Sequence, residues 1–225
     1  IVLSHSALNF ESVGASEQVS AEVLDQNGDP LSSAPVAWST SNAGIATVST
    51  SGVVTAVSNG SATITATSGA ATATAAVEVS QVAASLVVSP DPISMESLGE
   101  TGQLTAAVED AEGNVIPGAT VAWVSADEAV ATVSAAGLVT SQGNGTTSVT
   151  ATSASASSSA SVTVQQVATS VAVTPPPPPF LSPGATLQLS AEAVDALGNT
   201  VESAQPVWAS SDPAAATVSA EGLVT

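Results

Sequence analysis

Carboxylates recur beside one turn of the sequence. Glu22, Asp25 and Asp29 accompany its first occurrence, Glu109, Asp110 and Glu112 its second, and Glu192 and Asp195 its third. Oxygen ligands of this kind suit Ca2+, which takes about six to eight of them, so Asp25, Asp29, Asp110, Glu112 and Asp195 are candidate metal ligands. The motif Asp-x-x-Gly-Asp/Asn supplies too few oxygens by itself and lacks the closing glutamate of a calcium loop. Weak Ca2+ binding is the most that is expected, and no other cofactor. The same residues also make a self-sufficient hairpin turn, because Asp and Asn bond the backbone two residues on and Gly takes the left-handed conformation. Both readings stand at this stage.

Other chemistry is thinner. A hydrolytic triad needs a base beside its nucleophile, and the only imidazole is His5, in the first strand region and missing from the later copies; no catalytic residue and no enzyme is expected. Trp38, Trp123 and Trp208 could stack on sugar rings, yet each occupies the same place in its copy, on the strand where a sandwich buries its core Trp. They are therefore expected to be buried core residues, with Val48, Val54 and Ile64 around Trp38. Asn59-Gly60-Ser61 and Asn144-Gly145-Thr146 are N-glycosylation sequons and, equally, Asn-Gly hairpin turns.

The elements that position these residues follow one period. The tryptophans stand 85 residues apart, and so do Asp25, Asp110 and Asp195, the glycines Gly52, Gly137 and Gly222 of a Gly-x-Val-Thr signature, and Gln81 with Gln166. Within a copy the apolar residues alternate with Ser and Thr, as in Thr63-Ile64-Thr65-Ala66-Thr67 and Thr74-Ala75-Ala76-Val77-Glu78-Val79, which is the pattern of half-buried strands. Roughly seven short strands per copy, with turn signals every ~8 to 12 residues, describe an all-β immunoglobulin-like sandwich. The repeats read as 1–81, 82–166 and a truncated third at 167–225, joined without a Gly-rich or Pro-rich hinge. The proline run Pro175–Pro179 falls inside the third copy, where a polyproline II edge segment is expected.

Composition excludes whole classes of partner. The 225 residues contain 19 Asp+Glu and no Lys or Arg, a formal charge of −19, so nucleic acid and anionic lipid surfaces would repel the chain. No cysteine is present, which removes disulfides and thiolate chemistry. No apolar stretch is long enough for a membrane span, so membrane insertion is not expected.

As a set, the Asp-x-x-Gly-Asn/Asp turn, Val36 to Asn42 and Val121 to Asp127 around the tryptophans, the Ala-Thr-Val-Ser steps at Ala46, Ala131 and Ala216, the Gly-x-Val-Thr signature and the segment Asn59 to Thr67 resemble the bacterial immunoglobulin-like domain of group 2. Val124 stands where the family usually has Ser. The resemblance implies tandem sandwiches forming a rod, a non-catalytic stalk or filament on secreted or surface-attached proteins, including adhesins of the intimin and invasin kind, and also phage tail and capsid ornaments. Its partners would be neighbouring Ig-like repeats of the same or like chains, and a glycan or host surface if the loops bind one. The competing class is a binding module that recognises glycan or host protein through those loops. The third copy stops after its Gly-Leu-Val-Thr, so either the native chain continues past Thr225 or a neighbouring subunit donates the missing strands.

Overall fold

The computed structural model describes residues 1–175 and 184–225, and among these residues every regular element is a strand. Most of the proline run, together with Phe180, lies outside the described residues. No helix among the described residues is long and apolar enough to cross a membrane.

The first repeat contains β1 (Val2–Leu3), β2 (Ala7–Phe10), β3 (Ser16–Gln18), β4 (Ala21–Glu22), β5 (Ala37–Thr40), β6 (Ala46–Val48), β7 (Val53–Ala56), β8 (Gly60–Ser68) and β9 (Ala71–Val79). One sheet has the order β2-β9-β8-β5 and the other β3-β7-β6, while β1 pairs with β4. β2 runs parallel to β9, with Ala7 opposite Ala76 and Phe10 opposite Val79. The period-two pattern decides which face is inward: Ala62, Ile64 and Ala66 of β8 and Ala75, Val77 and Val79 of β9 are buried, and the intervening Thr63 and Thr65 of β8 and Ala76 and Glu78 of β9 point away from the core. Ile64, fully buried, contributes about 2 to 3 kcal/mol relative to exposure.

The tryptophans differ from expectation, for each is half-buried rather than buried. Trp38 lies on β5, the edge strand of its sheet, opposite Ala66 of β8. From there it packs against the core of Leu8, Phe10, Val19, Val54 and Ile64, as does the partly buried Val48. An edge strand has a neighbour on one side only, which leaves part of the large indole open. Its ring covers Gly52, where a Cβ would stand 2.9 Å from Trp38 Cζ2. Trp123 and Trp208 cover Gly137 and Gly222 in the same way, at 3.1 and 3.0 Å. The Gly of Gly-x-Val-Thr is thus the floor on which the Trp lies.

The described residues gather into two compact units, one of Ile1–Val87, Ala106–Val121 and Thr152–Ser158, the other of Val88–Thr105, Ala122–Ala151 and Ser159–Thr225. In the second unit Ile93–Met95 runs parallel to part of Ala156–Val164, and Thr101–Gln103, Leu138–Ser141 and Ala131–Val133 form a three-stranded sheet. These pairings repeat those of β2 with β9 and of β3, β7 and β6, displaced by the 85-residue period. In the third repeat Ser170–Thr174 pairs with Ser190–Val194 and Leu187–Gln188 with Leu223–Val224. Trp208 is in no strand. The counterpart of β8, which pairs with the Trp strand in the first repeat, is not among the 225 residues.

Candidate functional site: a carboxylate staple between repeats

Each unit contains a turn of one repeat gripping the backbone of the repeat before it. Asp110 opens the turn Asp110-Ala111-Glu112-Gly113-Asn114. Its Oδ1 accepts the backbone N–H groups of Glu112 and Asn114 at 3.0 and 2.9 Å, and Gly113 takes the positive φ of +80° that closes the loop. Because Oδ1 alone holds the turn, Oδ2 is free for longer-range work. It accepts the backbone N–H of Val13, 97 residues earlier, at 3.0 Å and the side-chain amide of Gln81 at 2.8 Å. Asn114 Nδ2 donates back to the Val13 carbonyl at 2.8 Å, so both polar groups of one peptide-chain residue are held by one turn.

Gln81 is itself positioned by Asn59. Asn59 Nδ2 donates to Gln81 Oε1 at 3.1 Å and Gln81 N donates to Asn59 Oδ1 at 2.9 Å, a reciprocal pair that aims the glutamine Nε2 at Asp110. The connecting segment is tied at both ends: Val82 N donates to Glu11 O and Ala84 N to Glu109 O, each at 2.9 Å.

The second unit repeats the arrangement atom for atom. Asp195 Oδ2 accepts Leu98 N at 3.0 Å and Gln166 Nε2 at 3.1 Å, Asn199 Nδ2 donates to Leu98 O at 2.8 Å, and Asn144 and Gln166 form the same reciprocal pair at 3.0 and 2.7 Å. Asp110 and Asp195 are each only 2% exposed. Burial pushes the Asp110 carboxyl up, but the Gln81 amide, the Asn114 and Val13 backbone N–H groups and the Asn114 side chain outweigh it and hold the pKa at about 2, against an ordinary 3.8. Asp195 is held well below the usual carboxylate range by the same balance. Neither carboxylate has a cation beside it; both are solvated by N–H donors alone, which are charge-assisted and strong.

The sign of the pH dependence follows. A carboxyl with a depressed folded pKa stabilises fully above its unfolded value and loses that contribution as pH falls through the folded one. Acid also neutralises the 19 carboxylates and relieves their mutual repulsion, which acts the other way. Urea unfolding of the parent chain against Asp110→Ala separates the two effects. The parent's advantage is expected to be full at pH 6 and to vanish between about pH 3.8 and about pH 2; an advantage that persists at pH 2 would assign it to something other than the ionised carboxylate.

The candidate calcium ligands are thus placed as follows. The oxygens of Asp110 and Asp195 are engaged by N–H donors, Asp25 and Asp29 belong to the first repeat's turn, and no group of three or more His, Cys, Asp or Glu side chains arranged to hold a metal occurs among the described residues. The sequon residues Asn59 and Asn144 are exposed but have their side-chain amides engaged by Gln81 and Gln166. His5 sits 3.0 Å from the Ser4 hydroxyl through Nδ1 and 3.6 Å from Glu17 through Nε2. That Ser-His-Glu order is exposed, its outer contact is too long for a hydrogen bond, and Ser4 Oγ already accepts the Ser20 N–H.

Among known proteins, a family model for the bacterial Ig-like domain (group 2) matches residues 11–79, 84–164 and 167–225. No curated protein matches the chain. Among solved structures, domains 1–6 of the surface layer protein SbsC are 23% identical with a TM-score of 0.38, over 82% of this chain and 27% of that one. Invasin, a bacterial integrin-binding protein, is 20% identical with a TM-score of 0.48, over 100% of this chain and 54% of that one. Human protocadherin-24 EC1-2 is 17% identical with a TM-score of 0.31, over 72% and 94%. The chain spans only 27% of the SbsC chain. The family match is of a different order, since it takes in each of the three repeats and most of the sequence: the chain belongs to the bacterial Ig-like domain family of group 2.

Proposed function

We propose that the chain is a non-catalytic structural segment of an extracellular or cell-surface protein, in which Ig-like repeats are locked to one another so that a stalk or filament keeps its form while projecting or assembling an adhesive structure. The observation that supports this most directly is the staple, built twice from the same residue types and the same atoms. A flexible tether between modules needs no buried carboxylate; a fixed geometry does. The partners in this reading are neighbouring Ig-like repeats, with Ca2+ at most a weak ligand. The binding-module alternative draws less support, because the cleft beside the staple, lined by Val13, Val57, Asn59, Gln81, Asn114 and Val115 among others, carries no aromatic side chain for stacking on a sugar.

Absence of cysteine makes the test direct. Spin labels on Thr72→Cys in the first repeat and Thr120→Cys in the second, both exposed positions of one compact unit, report the distance distribution across the staple. A single narrow distribution is expected, broadening in the Asp110→Ala background. A distribution already broad in the parent chain would overturn the structural reading.

A further inference from the structure

The first repeat carries the same turn, whose carboxylate contacts among the described residues all lie within the turn itself. Asp25 Oδ1 accepts Asn27 N at 2.7 Å and Asp29 N at 3.0 Å, as Asp110 Oδ1 and Asp195 Oδ1 accept their own turns. Asp25 Oδ2 takes only a 3.4 Å contact from Asn27 Nδ2 among the described residues, whereas in the other two turns this oxygen holds a backbone N–H and a glutamine amide of the preceding repeat. Asp25 is half-exposed where Asp110 and Asp195 are buried.

We infer that the Asp25 turn is the receiving half of a further staple, a docking surface for the end of another Ig-like repeat that presents a backbone N–H and a glutamine side chain to Asp25 Oδ2. The inference rests on the structural reading above and extends it to a surface that reading does not use. The occupant is specified by the two occupied turns: each holds the segment carrying Val13 or Leu98 together with the Gln that follows the last strand of its repeat. One residue differs. Asp29 stands where Asn114 and Asn199 donate to the partner's carbonyl, so a carboxylate oxygen meets a carbonyl oxygen and one hydrogen bond is lost. This staple is therefore the weakest of the series, and Asp29→Asn should strengthen it.

The test places such an end on the turn. Residues 1–85 are duplicated ahead of Ile1 in the full chain, which sets the added Gln81 the same 29 residues before Asp25 that separate Gln81 from Asp110. With segmental isotope labelling, amide hydrogen exchange is read at Val13 of the added copy and at Val13 of the original copy. Protection of the added Val13 is expected, lost in Asp25→Ala, and increased about tenfold by Asp29→Asn, as one restored hydrogen bond near the usual net strength implies. Asp29→Asn in the unduplicated chain should change nothing. If the original Val13 is protected by Asp110 while the added one exchanges freely, or responds only to Ca2+, this inference fails alone; if neither is protected, the structural reading fails with it.

Discussion

Asp110→Ala is expected to lower the stability of the first unit by about 3 kcal/mol and to split a shared unfolding transition into two. Removing the carboxylate orphans the Val13 N–H and the Gln81 amide across the junction, and the Glu112 and Asn114 N–H groups within the turn. An unsatisfied buried donor costs about 1 to 3 kcal/mol, and water can reach only some of these four. The splitting follows from repeat architecture, in which stability is approximately the sum of intrinsic repeat terms and interface terms, so deleting the interface term lets each repeat melt at its own midpoint. Asp25→Ala removes the same turn carboxylate where, among the described residues, its Oδ2 accepts no N–H of another repeat, and supplies the control. Denaturant titrations followed by fluorescence of single-Trp variants assign each transition to its repeat. Equal losses from Asp110→Ala and Asp25→Ala would mean that the turn matters and the grip does not. Gln81→Ala should reproduce part of the Asp110→Ala effect, because it removes one donor and leaves the turn whole.

The division between what the residues announced and what they concealed has a physical cause. Spacing and alternation expose the 85-residue period, the half-buried strands and the Asp-Gly turn, because each is written in side chains close together in sequence. The staple is not. Val13 and Leu98 enter it through backbone N–H and C=O groups, which every non-proline residue has, so nothing in their side chains marks them. Gln81 and Gln166 were visible as periodic landmarks without a role, since the carboxylate each serves lies 29 residues further on. The Asn-Gly dipeptides read as hairpin turns or glycan acceptors, whereas their carboxamides hold the glutamines. A recurring Asn–Gln–Asp series at constant intervals was the available signal, and the abundance of Asx turns in loops made it easy to absorb into turn chemistry. The tryptophans teach the complementary lesson. Their place in the repeat was legible, but their degree of burial depended on β5 being an edge strand, a property of sheet order rather than of local sequence.

Gly52→Ala should be the most damaging single-methyl substitution in the first repeat, at roughly 3 to 5 kcal/mol. Two penalties combine. At φ +85° an L-residue pays about 1 to 2 kcal/mol of left-handed strain, and the added Cβ would lie 2.3 Å from the Val19 carbonyl oxygen and 2.9 Å from Trp38 Cζ2. The indole can tilt outward because its edge strand leaves it half-open, but the carbonyl cannot follow. Val19 is fully buried, and its own N–H donates to Gly52 O at 2.9 Å, so β7 and the backbone preceding β4 are drawn together at this residue. Relief requires breaking that bond or displacing the core. The same close approach recurs at Gly137 against Leu104 O and at Gly222 against Leu189 O, at 2.5 and 2.4 Å, which explains why the signature keeps its glycine in each copy on steric grounds. Gly14→Ala isolates the first penalty, since Gly14 has the same φ of +85° with nothing within 4 Å of a Cβ, and it should cost only about 1 to 2 kcal/mol. Urea titrations of the two variants, with Trp38 emission read as a marker of the displaced indole, give the comparison. Equal losses would mean that backbone strain alone fixes the glycine; a loss at Gly52 exceeding that at Gly14 by 2 kcal/mol or so, with red-shifted Trp38 emission, is what a methyl wedged between a carbonyl and an indole must produce.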